Sequence, residues 1–357
     1  MKFIHCADIH LGAPQSSLPS AKANVLKEEH INTFENLCEF AKQNEVTAVI
    51  IAGDFFDEQK ISNKLKTRIF NCIAQCPNID FLYLNGNHDD ILLDANIVPS
   101  NLKLFNNVWS GFRYSNVFIQ GIAFDGTNSS LVYNGFSASE YDVNIVVMHG
   151  QVANYKNQEK AEIISIPNLK GKNIDYLALG HYHSYAYNKL DDRGEYVYSG
   201  CLQGRGFDEC GQKGFVLIEV NNKELTHKFI PFAPRELFEV NYEIKNPNDW
   251  YAERLDILNF LSGNYPKNSL IKLILKGGVS DKVFIDKTEL EQALNTSFFY
   301  AKVYDKTVIL INEKSFKNDK SIKGEFVNLV LTSDLDEQTK SKIIKCGLNA
   351  IKGEELL

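Results

Sequence analysis

Seven side chains of metal-binding type stand just beyond short apolar runs in the sequence. They are Asp8, His10, Asp54, Asn87, His149, His181 and His183. The ends of strands are where a rigid sheet presents groups to a ligand. The set offers two carboxylates, one amide oxygen and four imidazoles, without a thiolate, and these donors suit manganese, iron or zinc. The pattern therefore predicts a metal site built on a sheet.

The spacing of these residues explains how they can converge on metal ions. Residues i and i+2 of an extended segment point the same way, so Asp8 and His10 can share one ion. The same reasoning lets His181 and His183 reach a common site. Asp54 is the natural bridging ligand, because a carboxylate has two oxygens. The neighbouring glycines let the backbone turn sharply beside these ligands.

Two metal ions held in this way favour phosphoester chemistry. Two divalent ions, two aspartates and a bridging hydroxide retain a net positive charge, which attracts a phosphate. Paired ions about 3.5–4 Å apart lower the pKa of a bridging water and stabilise an in-line displacement. His88 stands beside Asn87 and can donate a proton to the leaving oxygen. Asp89 can orient His88, or it can cap the turn that follows.

Arg205 is a candidate for substrate binding. Its guanidinium can bind a backbone phosphate, or it can pair with Asp208 as an ordinary loop arginine. The sequence leaves both roles open. The remaining histidines, His5, His30 and His227, belong to no motif and are expected to be structural.

Composition excludes several classes of protein. The formal net charge of −7 does not favour a free-standing nucleic-acid binder. Residues 1–234 contain 20 Lys and Arg against 26 Asp and Glu, so the acidity lies in the segment that holds the candidate ligands. The 7 cysteines form no Cys-x-x-Cys pair, which indicates a reducing compartment. We find neither a signal-peptide pattern nor a run of about 20 apolar residues, and expect a cytoplasmic protein with no membrane partner.

Apolar runs of strand length alternate with helical patterns in the first part of the chain. The runs are 3–7, 46–52, 81–84, 117–122, 145–148 and 174–179. Apolar residues at helical spacing over 31–41, and Ser62 as an N-cap, indicate helices between them. This alternation predicts an α/β fold. Two prolines near residue 230 mark a boundary. We expect domains at 1–234 and 235–320, the second an α+β unit, and a helical tail at 321–357.

Five motifs follow the apolar runs in order: Asp8-x-His10, Gly53-Asp54, Gly86-Asn87-His88-Asp89, His149-Gly150 and Gly180-His181-x-His183. This series resembles the calcineurin-like metallophosphoesterase superfamily. Residues 3–12 and 200–214 are similar, more narrowly, to the SbcD and YhaO-type (Mre-like) DNA repair exonucleases. The resemblance implies a β-sandwich flanked by helices in four layers (αββα). It also implies that the smaller α+β domain caps the active site and contacts DNA.

The resemblance also implies which site residues hold each of two metal ions and which residue is catalytic. One divalent ion would be held by Asp8, His10, Asp54 and His183, and the other by Asp54, Asn87, His149 and His181. His88 would be the catalytic histidine. The family that the chain resembles cleaves DNA with manganese and pairs with a coiled-coil ATPase. Asp57 stands where archaeal and eukaryotic relatives often carry a second histidine, so a role that depends on that histidine is not implied here.

Three functions fit these patterns. The leading one is a DNA nuclease. A small-molecule phosphodiesterase, for example one acting on cyclic nucleotides, would use the same metal motifs, but it needs no second domain facing DNA. A scaffold subunit that binds an ATPase and DNA ends would need little catalysis, and the full ligand set argues against it.

In the tail, an apolar stripe packs on its own domain or meets the ATPase or a second copy of the chain. The stripe consists of Ile343, Ile344, Leu348 and Ile351.

Overall fold

The computed structural model describes residues 1–15, 18–57, 61–86, 98–124, 127–136, 138–152, 163–310, 316 and 319–351. The chain divides into two units, Met1–Glu236 and Leu237–Leu357. In the first unit the described strands are β1 (Lys2–Cys6), β2 (Ala48–Ala52), β3 (Asp80–Leu84), β4 (Leu102–Phe105), β5 (Ser110–Tyr114), β6 (Val117–Gly121), β7 (Val143–His149), β8 (Gln151–Val152), β9 (Ile163–Ile164), β10 (Tyr176–Gly180), β11 (Ala186–Lys189), β12 (Glu195–Tyr198), β13 (Gly214–Asn221) and β14 (Glu224–Pro231). Its helices are α1 (Ser20–Gln43), α2 (Asn63–Ala74), α3 (Ser129–Asn134) and α4 (Ile166–Leu169).

Two large mixed sheets organise the first unit. One has the strand order β14-β13-β1-β2-β3-β4, and the other has the order β11-β12-β10-β7-β6-β5. In the first sheet β1, β2, β3 and β4 are parallel neighbours. In the second sheet β6, β7, β10 and β12 are parallel neighbours. Parallel neighbours end at the same edge of a sheet, so the segments after β1, β2 and β3 leave the first sheet together, as do those after β7 and β10 in the second.

The two sheets pack face to face and carry helices on their outer faces. Side chains such as Ile50 and Val147 form the core between the sheets. A second core joins Phe34 of α1 and Ile69 of α2 to the outer face of the first sheet. A third core includes Val132 of α3 on the outer face of the other sheet. The structure thus confirms the predicted α/β fold with four layers.

Local signals in the sequence explain where the longer helices begin. The Ser62 hydroxyl accepts a hydrogen bond from the Leu65 N–H at 3.2 Å, as the predicted N-cap requires. Caps of this kind stabilise a helix by about 1 kcal/mol. In α1, Phe34, Leu37 and Ala41 are fully buried against the sheet. The apolar spacing seen over 31–41 is therefore the buried face of a longer helix.

The second unit is a small α+β structure with its own core. Its described strands are β15 (Leu237–Glu243), β16 (Leu270–Lys276), β17 (Gly278–Ser280), β18 (Tyr300–Asp305) and β19 (Val308–Leu310). Its helices are α5 (Trp250–Asn264), α6 (Lys287–Ser297), α7 (Ile322–Leu331) and α8 (Glu337–Ile351). The order β15-β16-β18 forms a parallel sheet. The helices α5 and α6 bury Ile257 and Leu290 against it.

The apolar stripe of the tail packs largely within its own unit. Ile344 and Leu348 of α8 are buried against Val327 of α7, in a cluster that Ile343 joins. Ile351 at the end of the stripe remains 47% exposed. Asp336 begins this helix by accepting a hydrogen bond from the Thr339 N–H at 3.0 Å. The stripe is thus mainly a core face of the second unit.

Candidate metal centre

Four of the predicted ligands lie in the tight turns that follow the strands. Asp8, His10, Asp54 and His181 all have positive φ angles, of 51°, 47°, 50° and 96°. Residues other than glycine rarely adopt this region, and such strain is characteristic of functional sites. Hydrogen bonds between the turn after β1 and the turn after β2 help to hold this backbone conformation. The Asp8 N–H donates to the Gly53 carbonyl at 3.1 Å, and the His10 N–H donates to the Asp54 carbonyl at 2.9 Å.

Glycines at the site allow a close approach that no other residue would permit. A Cβ on Gly53 would overlap His149 Nδ1, and Gly53 also has a φ of 90°. A Cβ on Gly86 would overlap the Asp54 carboxylate, and one on Gly180 would overlap the Ala52 carbonyl. These positions bring the edges of the two sheets together around the same side chains.

Two buried aspartates form the centre of the cluster. Asp8 and Asp54 are each 1% exposed. The His181 N–H donates to both oxygens of Asp8, at 2.9 Å and 3.0 Å. His149 Nε2 lies 3.4 Å from Asp54 Oδ2, and His10 Nε2 lies 3.7 Å from the same oxygen. Residues from both sheets therefore surround the two carboxylates.

The structure brings six of the seven predicted ligands to one place. Two overlapping groups have ligand atoms within 4.8 Å of one another: Asp8, His10 and His183, and Asp8, Asp54 and His149. In the first group His10 Nε2 lies 3.4 Å from His183 Nε2. The sixth residue, His181, stacks edge-on against His149, with ring centroids 5.6 Å apart. Asn87, His88 and Asp89 lie outside the described residues.

The charges of this cluster fit divalent cations. Burial raises the pKa of Asp8 above its ordinary value, His183 and His149 lower it, and the Asp54 carboxylate raises it again. Burial lowers the pKa of His149, but the Asp54 carboxylate outweighs burial and raises it to about 9. Two carboxylates buried together require compensation by nearby positive charge or by bound protons. Divalent ions would replace those protons.

A second layer of side chains surrounds His183, and the sequence patterns did not single it out. The His183 Nδ1 lies 2.7 Å from Glu209 Oε1. Lys213 Nζ donates to the His183 carbonyl at 2.7 Å. Glu209 and Lys213 are 4% and 3% exposed. A metal-binding histidine commonly has a carboxylate on its second nitrogen. Glu209 lies 26 residues after His183, so no local spacing pattern in the sequence could have indicated it.

Arg205 lies in the same layer. Its Nε and Nη2 donate to Glu209 Oε1 at 3.0 Å and 2.6 Å. The carboxylate that it pairs with is therefore Glu209, and the alternative pairing with Asp208 was wrong. The guanidinium also lies near His183, with Nη2 3.4 Å from Nδ1. Asp57, which stands at the position of the second histidine of some relatives, is described at the end of its turn and is half-buried.

The four-layer fold and the buried Asp/His cluster together define a metallophosphoesterase. A family model described as calcineurin-like phosphoesterase matches residues 1–185. The chain belongs to this family of metal-dependent phosphoester hydrolases.

Relatives of the chain include proteins named as nucleases and repair proteins. The SbcD component of nuclease SbcCD from Staphylococcus saprophyticus is 26% identical over 397 residues, covering 100% of this chain and 94% of the relative. DNA double-strand break repair protein Mre11 of Sulfolobus acidocaldarius is 23% identical, covering 95% of this chain and 93% of the relative. The metallophosphoesterase YhaO of Bacillus subtilis is 25% identical, covering 64% of this chain and 60% of the relative. No helix in the described part of the chain is long and apolar enough to cross a membrane.

Proposed function

We propose that this chain is a manganese-dependent DNA phosphodiesterase, the nuclease subunit of a DNA repair complex. The observation that carries the proposal is the convergence of Asp8, Asp54 and four histidines at the common edge of the two sheets. Family membership supplies the phosphoester chemistry. The narrower step to DNA rests on relatives named SbcD and Mre11, whose similarity extends over both units of the chain.

Each site residue has a role in this proposal. One ion is held by Asp8, His10, Asp54 and His183, and the other by Asp54, Asn87, His149 and His181. When bound, the ions lower the pKa of a water and offset the charge that develops on the phosphate. His88 donates a proton to the leaving oxygen, and Asp89 orients His88.

Manganese is the proposed metal because the family that the sequence resembles uses it, and the donor set is compatible with it. Carboxylate oxygens and imidazole nitrogens suit manganese, iron and zinc alike. A thiolate would shift the preference toward zinc, but the Cys201 thiol is directed toward the His183 carbonyl and Glu209. The donor set therefore does not choose among these metals, and the resemblance to manganese-dependent nucleases is the reason for proposing manganese.

The second part of the chain is proposed to place DNA and to contact a partner protein. We assign residues 235–320 as a cap that places DNA and residues 321–357 as a tail. Lys272, Lys276 and Lys282 are candidate phosphate contacts in this cap. Lys272 is held by Glu239 at 2.7 Å, whereas Lys276 and Lys282 are exposed, so the latter two are the better candidates. The proposed partner is a coiled-coil ATPase, and a second copy of the chain is the alternative. A cytoplasmic location completes the proposal.

One set of assays with manganese tests this function. The purified protein is offered end-labelled duplex DNA, circular single-stranded DNA, a cyclic nucleotide and a bis-aryl phosphate. We expect cleavage of DNA and of the aryl diester. Asp54→Asn removes charge from the proposed shared ligand and should abolish both activities, together with the rise in melting temperature that manganese produces. Turnover of the cyclic nucleotide without DNA cleavage would favour the small-molecule alternative. DNA binding without hydrolysis of any substrate would favour the scaffold.

A further inference from the structure

The His183 ring is held between two different environments. Its Nδ1 lies 2.7 Å from Glu209 Oε1, and its Nε2 lies 3.4 Å from His10 Nε2 in the ligand cluster. Because a carboxylate accepts hydrogen bonds, Glu209 keeps the ring proton on Nδ1. That tautomer leaves the Nε2 lone pair directed at the cluster.

The Glu209 carboxylate is itself fixed by several donors. Its Oε1 accepts from Arg205 Nε at 3.0 Å and from Arg205 Nη2 at 2.6 Å. Its Oε2 accepts from the Arg205 backbone N–H at 2.7 Å and lies 3.9 Å from the Cys201 thiol. The Arg205 guanidinium and this buried carboxylate form an ion pair, with Nη2 2.6 Å from Oε1. The carboxylate is therefore charged and restricted to one orientation.

The segment that carries Glu209 is anchored to the rest of the unit. The backbone of Cys201 forms an isolated parallel β-bridge with Ala7, the residue before Asp8. Gln203 accepts a hydrogen bond from the Thr33 hydroxyl at 2.6 Å, and the Gly204 carbonyl lies 3.3 Å from His30 Nε2. Both contacts tie the segment to α1, so Glu209 approaches His183 from a rigid support.

We infer that Glu209 is a positioning residue that orients His183 for metal binding, and that Arg205 acts through Glu209 rather than by gripping a phosphate. The inference rests on the metal site of the proposed function, but not on its substrate. A charged carboxylate behind a histidine raises the basicity of the ring and fixes its direction. Loss of such a partner typically weakens metal binding about 10- to 100-fold.

The test is manganese binding to the full chain, read by calorimetry and by electron paramagnetic resonance. Glu209→Gln keeps the size of the side chain and removes its charge. We expect one of the two manganese ions to bind about 10- to 100-fold more weakly than in the unaltered protein. The spin-coupled spectrum of a dinuclear site should change toward the six-line spectrum of a single ion. Equal binding of both ions by Glu209→Gln would overturn the inference.

Companion variants separate orientation of His183 from simple support of the fold. Asp208→Asn removes a charge at the neighbouring exposed position and should leave manganese binding unchanged. Glu209→Asp keeps the charge but withdraws the carboxylate from the ring, so it should also weaken one ion. Melting temperatures in chelator show whether each variant is folded. If Asp208→Asn weakened the ion as much as Glu209→Gln did, the effect would be one of net charge and the inference would fail.

Arg205→Lys distinguishes the two roles of the arginine. A lysine cannot donate the paired bonds from Nε and Nη2, so manganese affinity should fall. Unchanged manganese affinity with a raised KM for DNA would indicate that Arg205 binds a phosphate. That result would overturn this part of the inference. Failure of the nuclease assignment would look different: the unaltered protein would bind two ions and cleave no DNA, while the Glu209 effect on manganese remained.

Discussion

The backbone N–H of His181 donates to both carboxylate oxygens of Asp8, although the two residues are 173 positions apart in the chain. Asp8 follows β1 of the first sheet, and His181 follows β10 of the second. This forked hydrogen bond therefore joins the edges of the two sheets at the candidate metal centre. It also uses part of the acceptor capacity of Asp8, which limits the directions from which a metal can approach that carboxylate.

Gly53→Ala should damage the site by steric overlap with His149. The new methyl group would collide with the His149 ring, and the φ of 90° would add backbone strain. Gly171→Ala is the matched control, because its φ is 71° but nothing lies within 4 Å of its Cβ. The control should lose about 1–2 kcal/mol of unfolding free energy from backbone strain alone. Gly53→Ala should lose more stability and should bind manganese more weakly, as measured by denaturation and calorimetry. Similar results for both variants would show that the overlap is relieved without moving His149.

His88→Ala should reduce turnover while metal content stays intact. If His88 donates a proton to the leaving oxygen, its removal should cost about 10²- to 10⁴-fold in kcat on DNA. An aryl diester with a good leaving group needs no proton and should lose far less. Metal analysis and kinetics on both substrates make the measurement. Equal losses on the two substrates would assign His88 to phosphate binding or to a structural role.

Stability of the metal-free protein should fall in acid because of two buried histidines. Burial lowers the pKa of His30 to about 4 and that of His5 to about 3, below the ordinary value of 6.5. A group whose folded pKa is depressed contributes stability above 6.5 and loses it as pH falls toward the folded pKa. Each histidine should therefore lower the free energy of unfolding by about 2 kcal/mol between pH 7 and pH 5. Urea unfolding in chelator measures this loss. His30→Gln should flatten the pH dependence, and an unchanged slope would contradict the pKa of His30.

A fragment ending at residue 236 tests the role proposed for the second unit. The first unit contains both sheets and the candidate metal centre, so the fragment should bind manganese and hydrolyse a small aryl diester. Cleavage of duplex DNA should be lost, because the residues proposed to place DNA are absent. Rates on the two substrates, compared with those of the full chain, give the result. If the fragment degraded duplex DNA as fast as the full chain, placement of DNA by residues 235–320 would be disproved.

The sequence by itself determined the frame of the first unit. Strand-length apolar runs with polar residues at their ends have one efficient arrangement, a buried parallel sheet that presents those residues at its edge. The predicted strands at 3–7, 46–52 and 174–179 correspond to β1, β2 and β10. Short strands with weaker apolar patterns, such as β4 and β11, were not predicted, because their pairing depends on neighbours distant in sequence. The tail at 321–357 was predicted to be helical, but its division into α7 and α8 was not, since the buried face of α7 meets α8.

Only the tertiary structure decided how the candidate ligands are supported. The spacing indicated that Asp8 and His10 could share an ion, but their side chains meet through a turn with positive φ at both residues and not through an extended segment. The approach of His149 to Asp54 depends on the packing of two sheets, which no local pattern encodes. The sequence left two roles open for Arg205, binding of a backbone phosphate and pairing with Asp208. The fold pairs Arg205 with Glu209, which is buried against His183, since a buried carboxylate requires donors on its oxygens.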